Sequence, residues 1–318
     1  MTAVGIRISF SPDPARRELN LANAAALVGR GASSVRLRIN WADIVPAEGR
    51  ANARLVEELA EHAARLRTAG LSVWPTLCGN NLPGWFLNEG AFADTKATDK
   101  HWSHFVDTVA AAIADTAAGW IPFETPIALV TDGWLHGTRD PGIADIAKYA
   151  DAVGGIVHSI AAVTRMLGES STVVALDVAH AGANGELIGV FHEACVRGRL
   201  AIPGRVEREV AGLAGGVRGI GLSFPDRAAL ASSDALRRWR DDTVRATYTI
   251  AERFSPLPPS IVAVPDTASD DETSDLVATI SDLCNEARDG GAAYDNVWLG
   301  DVGRLIGLPT DQALFTGA

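Results

Sequence analysis

Residues 120–142 read WIPFETPIALVTDGWLHGTRDPG. An apolar run, Trp120 to Phe123, meets a carboxylate at Glu124 and a proline at Pro126, and then continues as a loop rich in Gly, Trp and His. A short apolar run that ends abruptly in an acid reads as a barrel strand delivering that acid to the rim, where barrel enzymes do their chemistry. Taken alone, a strand end with a solvated glutamate is the simpler reading. The surrounding chain has to decide between them.

Outward from this stretch, short β-type runs alternate with longer helical ones. Strands are predicted at 5–9, 34–39, 71–77, 120–123, 172–178, 217–224, 260–264 and 296–299. Helical spacing is predicted over 19–30, 52–68, 101–118, 143–167, 187–197, 234–254 and 273–288. Asn52 is placed to cap the second helix and Gly70 to end it. Strand–helix alternation implies a parallel sheet, and eight repeats imply closure into a single α/β (β/α)8 (TIM) barrel covering 1–318. A doubly wound open sheet would carry a glycine-rich phosphate turn after its first strand, and Ser9-Phe10-Ser11-Pro12 stands there instead. The stretch after the third strand, with LPGWFLNEGAFAD, is a loop of about twenty residues, a length usually tied to function.

Composition narrows the class. The chain has 318 residues, 47% of them hydrophobic, with a formal net charge of −11. That acidity makes nucleic acid and anionic membranes poor partners, and no run of about 18 apolar residues suggests a span. Three widely spaced cysteines without a CxxC argue against a disulfide framework or a zinc ribbon and fit a reducing compartment. No signal peptide is visible, so the cytoplasm is the expected location. No metal or organic cofactor is implied. The expected partner is a small molecule, and self-association into a homo-oligomer is left open.

Several stretches, in order, resemble glycoside hydrolase family 1, the β-glucosidase-like barrels. VRLRINWADIVPAEGRAN (35–52) is similar to the family's Arg-Phe-Ser-x-x-Trp segment, and TLCGNNLPGWF (76–86) to its Thr-Leu-x-His-Trp-Asp-Leu-Pro segment. FETPIALVTDGWLHGTRDPG (123–142) resembles Phe-Asn-Glu-Pro followed by an aromatic-Gly loop. FHEACVRGRLAIP (191–203) and GIGLSF (219–224) fall where the family has Gly-x-Tyr-Pro and Gly-Leu-Asn-Tyr-Tyr. The resemblance implies a sugar-directed barrel with a general acid/base at the end of strand four and a nucleophile at strand seven.

The departures are specific. The match puts Thr125 at the family's acid/base position and Glu124 one residue early. Neighbours on an extended segment point in opposite directions, so Glu124 aims at the site only if the strand end bulges or slips. Gly79 and Asn80 stand where the family has its sugar-binding His-Trp pair. AVPD (263–266) stands where it has Thr-Glu-Asn-Gly, so Asp266 is the only carboxylate near the nucleophile position. Trp298 and Asp301 echo its strand-eight Trp-Ser-x-x-Asp.

Glu124 and Asp266 are therefore the catalytic candidates, and their separation bears on mechanism. Retention needs carboxylates about 5–5.5 Å apart, inversion about 6.5–9.5 Å. The substrate-binding candidates are Asn40, Trp41, Asn80, Asn81, Trp134, His136, His180, Trp298 and Asp301. Each has a plainer reading as core, turn or structural pair. Asp177 and His180 could relay a proton, Cys78 reads as small core packing, and His101-x-x-His104 as a solvated helix face.

The favoured function is an enzyme acting on a sugar or glycosylated small molecule by a route other than the two-glutamate retaining one. The alternatives are a repurposed barrel performing cyclisation, elimination or isomerisation, and a non-catalytic sugar binder.

Overall fold

The computed structural model describes residues 2–79, 81–168, 171–177, 181–224, 230, 232–267, 269–300 and 302–308. Eight parallel strands form the barrel: β1 (Ala3–Ser9), β2 (Ser34–Arg38), β3 (Ser72–Cys78), β4 (Ile121–Phe123), β5 (Thr172–Asp177), β8 (Val217–Ser223), β9 (Pro259–Ala263) and β10 (Asn296–Leu299). The remaining two, β6 (Arg199–Leu200) and β7 (Arg208–Glu209), make a separate antiparallel ladder. In the barrel the strand order runs β4-β3-β2-β1-β10-β9-β8-β5. Trp120 closes the ring between β4 and β5: its N–H donates to Ser171 O at 2.7 Å, and its carbonyl accepts from Val173 N at 2.8 Å. The (β/α)8 barrel expected from the alternation is the fold.

The helices α1 (Pro14–Val28), α3 (Ala53–Thr68), α5 (Thr95–Ile113), α7 (Ile146–Leu167), α8 (Ala181–Arg197), α9 (Ser233–Arg253) and α10 (Asp270–Asp289) provide the outer layer, with short helices α2 (Trp41–Ile44), α4 (Gly84–Asn88), α6 (Pro126–Val130) and α11 (Val302–Gly307) near strand ends. Sequence dictates their faces. In α3, Leu55, Leu59, Ala63 and Leu66 recur on one side and are buried, each leucine contributing about 1.5–3 kcal/mol by leaving water. Asn52 caps α3 by accepting from Leu55 N at 3.2 Å, and Gly70 follows with φ +100°, a conformation open to a residue without Cβ. α7 is long and apolar enough by composition to cross a membrane. Here it is a wall helix, with Val153, Ile156, Val157, Ile160 and Val163 buried.

Three sequence expectations change. The third predicted helix, α5, begins at Thr95 rather than His101, because Asp94 caps it by accepting from Ala97 N at 2.9 Å. The long loop after β3 is thus largely ordered as α4 and a short 3-10 turn. The rim loop after β4 begins as α6 and a single wide turn over Thr131–Leu135.

Inside the ring, Trp74, Ile121, Val173, Ala175, Val262 and Trp298, from five different strands, pack as a separate apolar plug. Ile121 belongs to that plug. Phe123, two residues on, instead leaves the ring and stacks on Trp102 of α5, with centroids 4.9 Å apart and planes 13° apart. The alternation of β4 therefore breaks between Ile121 and Phe123, and Glu124 returns to the interior. The backbone still follows β3 to that point, Glu124 N donating to Cys78 O at 2.9 Å. Pro126 then opens α6, which ends the strand.

Candidate active site

Above the apolar plug the barrel interior becomes charged. Arg7 comes from β1, Arg36 and Arg38 from β2, Glu124 from the end of β4, and Asp266 from just beyond β9. Arg36 and Arg38 alternate along β2, so both face inward. Glu124 Oε1 pairs with Arg36 Nη2, and its Oε2 lies 2.9 Å from Arg38 Nε. Arg7 Nη1 approaches Oε1 at 3.6 Å, while Arg7 Nη2 reaches Asp266 Oδ1 at 3.1 Å. One guanidinium thus lies between the two candidate carboxylates. Those two contacts and the width of the guanidinium put the facing oxygens within about 9 Å of each other.

The site's electrostatics follow from burial. Glu124 is 5% exposed. Burial by itself would raise its pKa, but Arg36, Arg38 and Arg7 together outweigh that and hold it down to about 2. Arg36 is fully enclosed. Its pKa falls to about 10 through burial, with Glu124 opposing the fall and Arg7 and Arg38 adding to it. Arg36 also donates from Nε to Thr76 Oγ1 at 3.0 Å and from Nη1 to Val262 O. A charge buried this deeply is tolerated only when it is paired, as Arg36 is with Glu124.

Gly300 leaves the room that Arg7 and Asp266 need, whereas the space at Gly79 would admit a Cβ. A Cβ at Gly300 would lie 2.7 Å from both Arg7 Nη2 and Asp266 Oδ1. One at Gly79 would lie 3.5 Å from Arg38 Nη2 and 3.7 Å from Glu124 Oε2.

Beside this network a cavity of about 630 Å³ opens over the ends of β1, β2 and β3. Arg7, Arg38, Asn40, Asn81 and Gly79 line it, with the Ser9–Pro12 turn and α1 as its outer wall. Asn40 and Asn81 are therefore brought to a common space beside Glu124 and Asp266.

The aromatic candidates go elsewhere. Trp41 is 1% exposed; it stacks on Phe105 at 5.0 Å and meets Phe86 at 4.7 Å and Trp102 at 5.5 Å. A ring enclosed this way cannot stack on a sugar. Trp298 belongs to the apolar plug, edge-on to Trp74 at 5.5 Å, and Trp134 is fully buried in the turn after α6. The sugar-contact role expected of these three is replaced by core packing. His136 is exposed on the rim loop and is not among the residues lining the cavity. Asn80, His180 and Asp301 lie outside the described residues.

Other titratable groups are accounted for. Asp177 is fully buried at the end of β5 and accepts from Ala128 N at 2.8 Å at the start of α6. Burial pushes its pKa well above the usual carboxylate range, the backbone donors of Ala128 and Ile127 oppose this, and Glu124 and Asp132 add to it. Burial, and then Glu124, also pushes the Cys78 thiol up, so it packs as a thiol rather than reacting as a thiolate. His101 is not on a solvated face. It is 2% exposed, edge-on to Trp85 at 4.9 Å, with Nε2 2.8 Å from Glu89 Oε2; His104 is the exposed one of the pair. Among the described residues Glu48, Glu89 and His101 offer metal-ligating atoms within 4.8 Å of one another, but the Lys100 ammonium already pairs with Glu48.

The three arginines were the residues missed from sequence. Their signal was the alternation of Arg36 and Arg38 in a strand whose inner face should be apolar.

Taken together, these features define an α/β-barrel protein with a carboxylate at the end of its fourth strand. The sequence profile of glycosyl hydrolase family 1 matches residues 22–183. That is half of the chain, and the protein belongs to this family. The fold agrees. A β-glycosidase from Pyrococcus horikoshii is similar at a TM-score of 0.75 and 14% identity, covering 93% of this chain and 83% of its own. The family 1 β-glucosidase from Exiguobacterium antarcticum B7 gives a TM-score of 0.73 at 17% identity, covering 89% and 76%. The β-glucosidase from Thermotoga maritima, solved with deoxynojirimycin, gives 0.75 at 14%, covering 94% and 87%. No curated protein sequence matches the chain.

Proposed function

We propose that this barrel acts on a sugar or a glycosylated small molecule, and not by the two-glutamate retaining route. The observation that carries this reading is the triple arginine contact of Glu124. A carboxyl held near pKa 2 is ionised at any working pH. It has no proton to give a leaving group, which is the task a general acid performs in glycoside cleavage. Glu124 then serves as a fixed anion that orients the arginines. Asp266, with its side chain 46% exposed, is the carboxylate at the open end of the network. The Arg7 guanidinium beside it stabilises negative charge that develops at the mouth. The family membership supports the sugar-directed part of the reading. Three free, buried cysteines fit a cytoplasmic location.

The test uses leaving groups of different acidity. Without a proton donor, 2,4-dinitrophenyl glycosides should release their phenol, while methyl glycosides of the same sugars stay intact. Release from neither group across a broad panel of sugars would overturn the glycosidic reading. Comparable cleavage of both would show that a proton donor is at work. A second reading, acid/base chemistry on a non-glycosidic metabolite, draws on one observation: Arg7 fills the gap between Glu124 and Asp266 where a hydrolytic water would stand.

A further inference from the structure

The cavity over β1, β2 and β3 has a charge opposite to that of the protein around it. The chain carries a formal charge of −11, yet the described walls hold Arg7, Arg16 and Arg38 against one acid, Asp43. Arg7 is engaged with Glu124 and Asp266. Arg38 gives its Nε to Glu124, and its side chain remains 38% exposed. That leaves the two terminal nitrogens of its fork for a ligand. Arg16, in the first turn of α1, is exposed and has no described partner.

An exposed arginine alone is not a site. A cavity shared with Arg38 and a fixed wall distinguish this one. Arg17, the neighbour of Arg16, turns away from the cavity and donates from Nη1 to Ser11 O at 2.7 Å and Pro12 O at 2.9 Å. Asn20 donates to Ser9 O at 3.1 Å. These bonds hold the Ser9–Pro12 turn as a rigid outer wall. On the inner side Glu124 fixes the Arg38 stem, so its fork is pre-oriented and loses little freedom on binding. The same cavity is lined by the amides of Asn23, Asn40 and Asn81, which have no described side-chain hydrogen bond. Amides both donate and accept, as paired hydroxyls require. A guanidinium fork matches a carboxylate or a phosphate.

We propose that this cavity binds an acidic sugar, with Arg16 and Arg38 holding its carboxylate or phosphate and Asn40 and Asn81 its hydroxyls. The inference rests on the sugar-directed reading above and adds the charge of the substrate. Isothermal titration of the full chain with D-glucuronate, D-glucose 6-phosphate and D-glucose tests it. At least one of the two anions should bind about tenfold or more tightly than glucose, and added sodium chloride should weaken that binding. Comparing the two anions identifies which acidic group the cavity takes. Arg16→Gln, a change on an exposed helix turn, should cut anion affinity about tenfold. Arg38→Gln should cut it at least as far; should that variant fail to fold, Arg16→Gln decides alone. Equal affinity for all three ligands, or an Arg16→Gln variant that binds the anion like the parent, would overturn the inference and leave the sugar reading standing. No binding of any of the three would overturn both.

Discussion

Arg38 meets Glu124 through its Nε, 2.9 Å from Oε2, and so ties the second strand of the barrel to the fourth across the top of the third. With Arg36 on the other carboxylate oxygen, the acid that ends the fourth strand becomes the hub of the interior charge. This relationship sets what Glu124 can do and what its loss costs.

Replacing Glu124 by Gln keeps the shape and removes the charge. Arg36, fully buried, then loses its main neutralising partner. Breaking a buried pair from one side costs about 3–5 kcal/mol, which in a chain of this length lowers Tm by on the order of 10 °C. Thermal melts followed by circular dichroism measure it, and an unchanged Tm would show that the arginines do not depend on Glu124.

Acid should unfold the protein in two stages. His62 is held down to about 4 by burial, with Arg17 and Arg65 adding to the effect. A depressed histidine favours the native state above its unfolded pKa, and that stability is lost as pH falls from about 6.5 towards 4. Glu124, depressed from 4.5 to about 2, contributes stability that is complete above about 4.5 and lost as pH falls towards 2. Urea unfolding at a series of pH values should show both windows, and His62→Gln should flatten the upper one alone.

Asp177 should behave in the opposite sense. Its pKa is raised in the native state, chiefly by burial, so its contribution is present at low pH and lost as pH rises. Asp177→Asn keeps an acceptor for Ala128 N and removes the titration. Its Tm should exceed that of the parent at about pH 8, with the advantage shrinking towards pH 4. A variant less stable at about pH 8 than at pH 4, relative to the parent, would contradict the assignment.

Trp41→Ala separates core from ligand contact. The ring packs on Phe86, Phe105 and Trp102, so truncation should cost about 3–5 kcal/mol. Sugar binding measured below the new Tm should stay close to that of the parent. A stable variant that loses sugar binding would return Trp41 to the site.

The strand–helix rhythm made the barrel legible in the sequence, because parallel strands covered on both faces read as short apolar runs. Glu124 was legible as an acid at a strand end. Its aim was not, since strict alternation gives the wrong direction. The break in β4 comes from Phe123 being drawn out onto Trp102, a contact no local pattern encodes. The inward arginines were hidden for a related reason. Arg36 is tolerable inside a barrel only because Glu124, distant in sequence, neutralises it. Trp41, Trp134 and Trp298 lie near strand or rim positions where a ring can face a ligand or the core, and only packing decides between them.

The central claim is that Glu124 is a permanent anion. Carbon-13 NMR of the glutamate carboxyl groups, with Glu124→Gln or Glu124→Asp used to assign the signal, measures this directly. The account predicts a Glu124 resonance that stays at its ionised position from about pH 4 to 9. A titration with a midpoint above about pH 5 would contradict it and restore Glu124 as a proton donor.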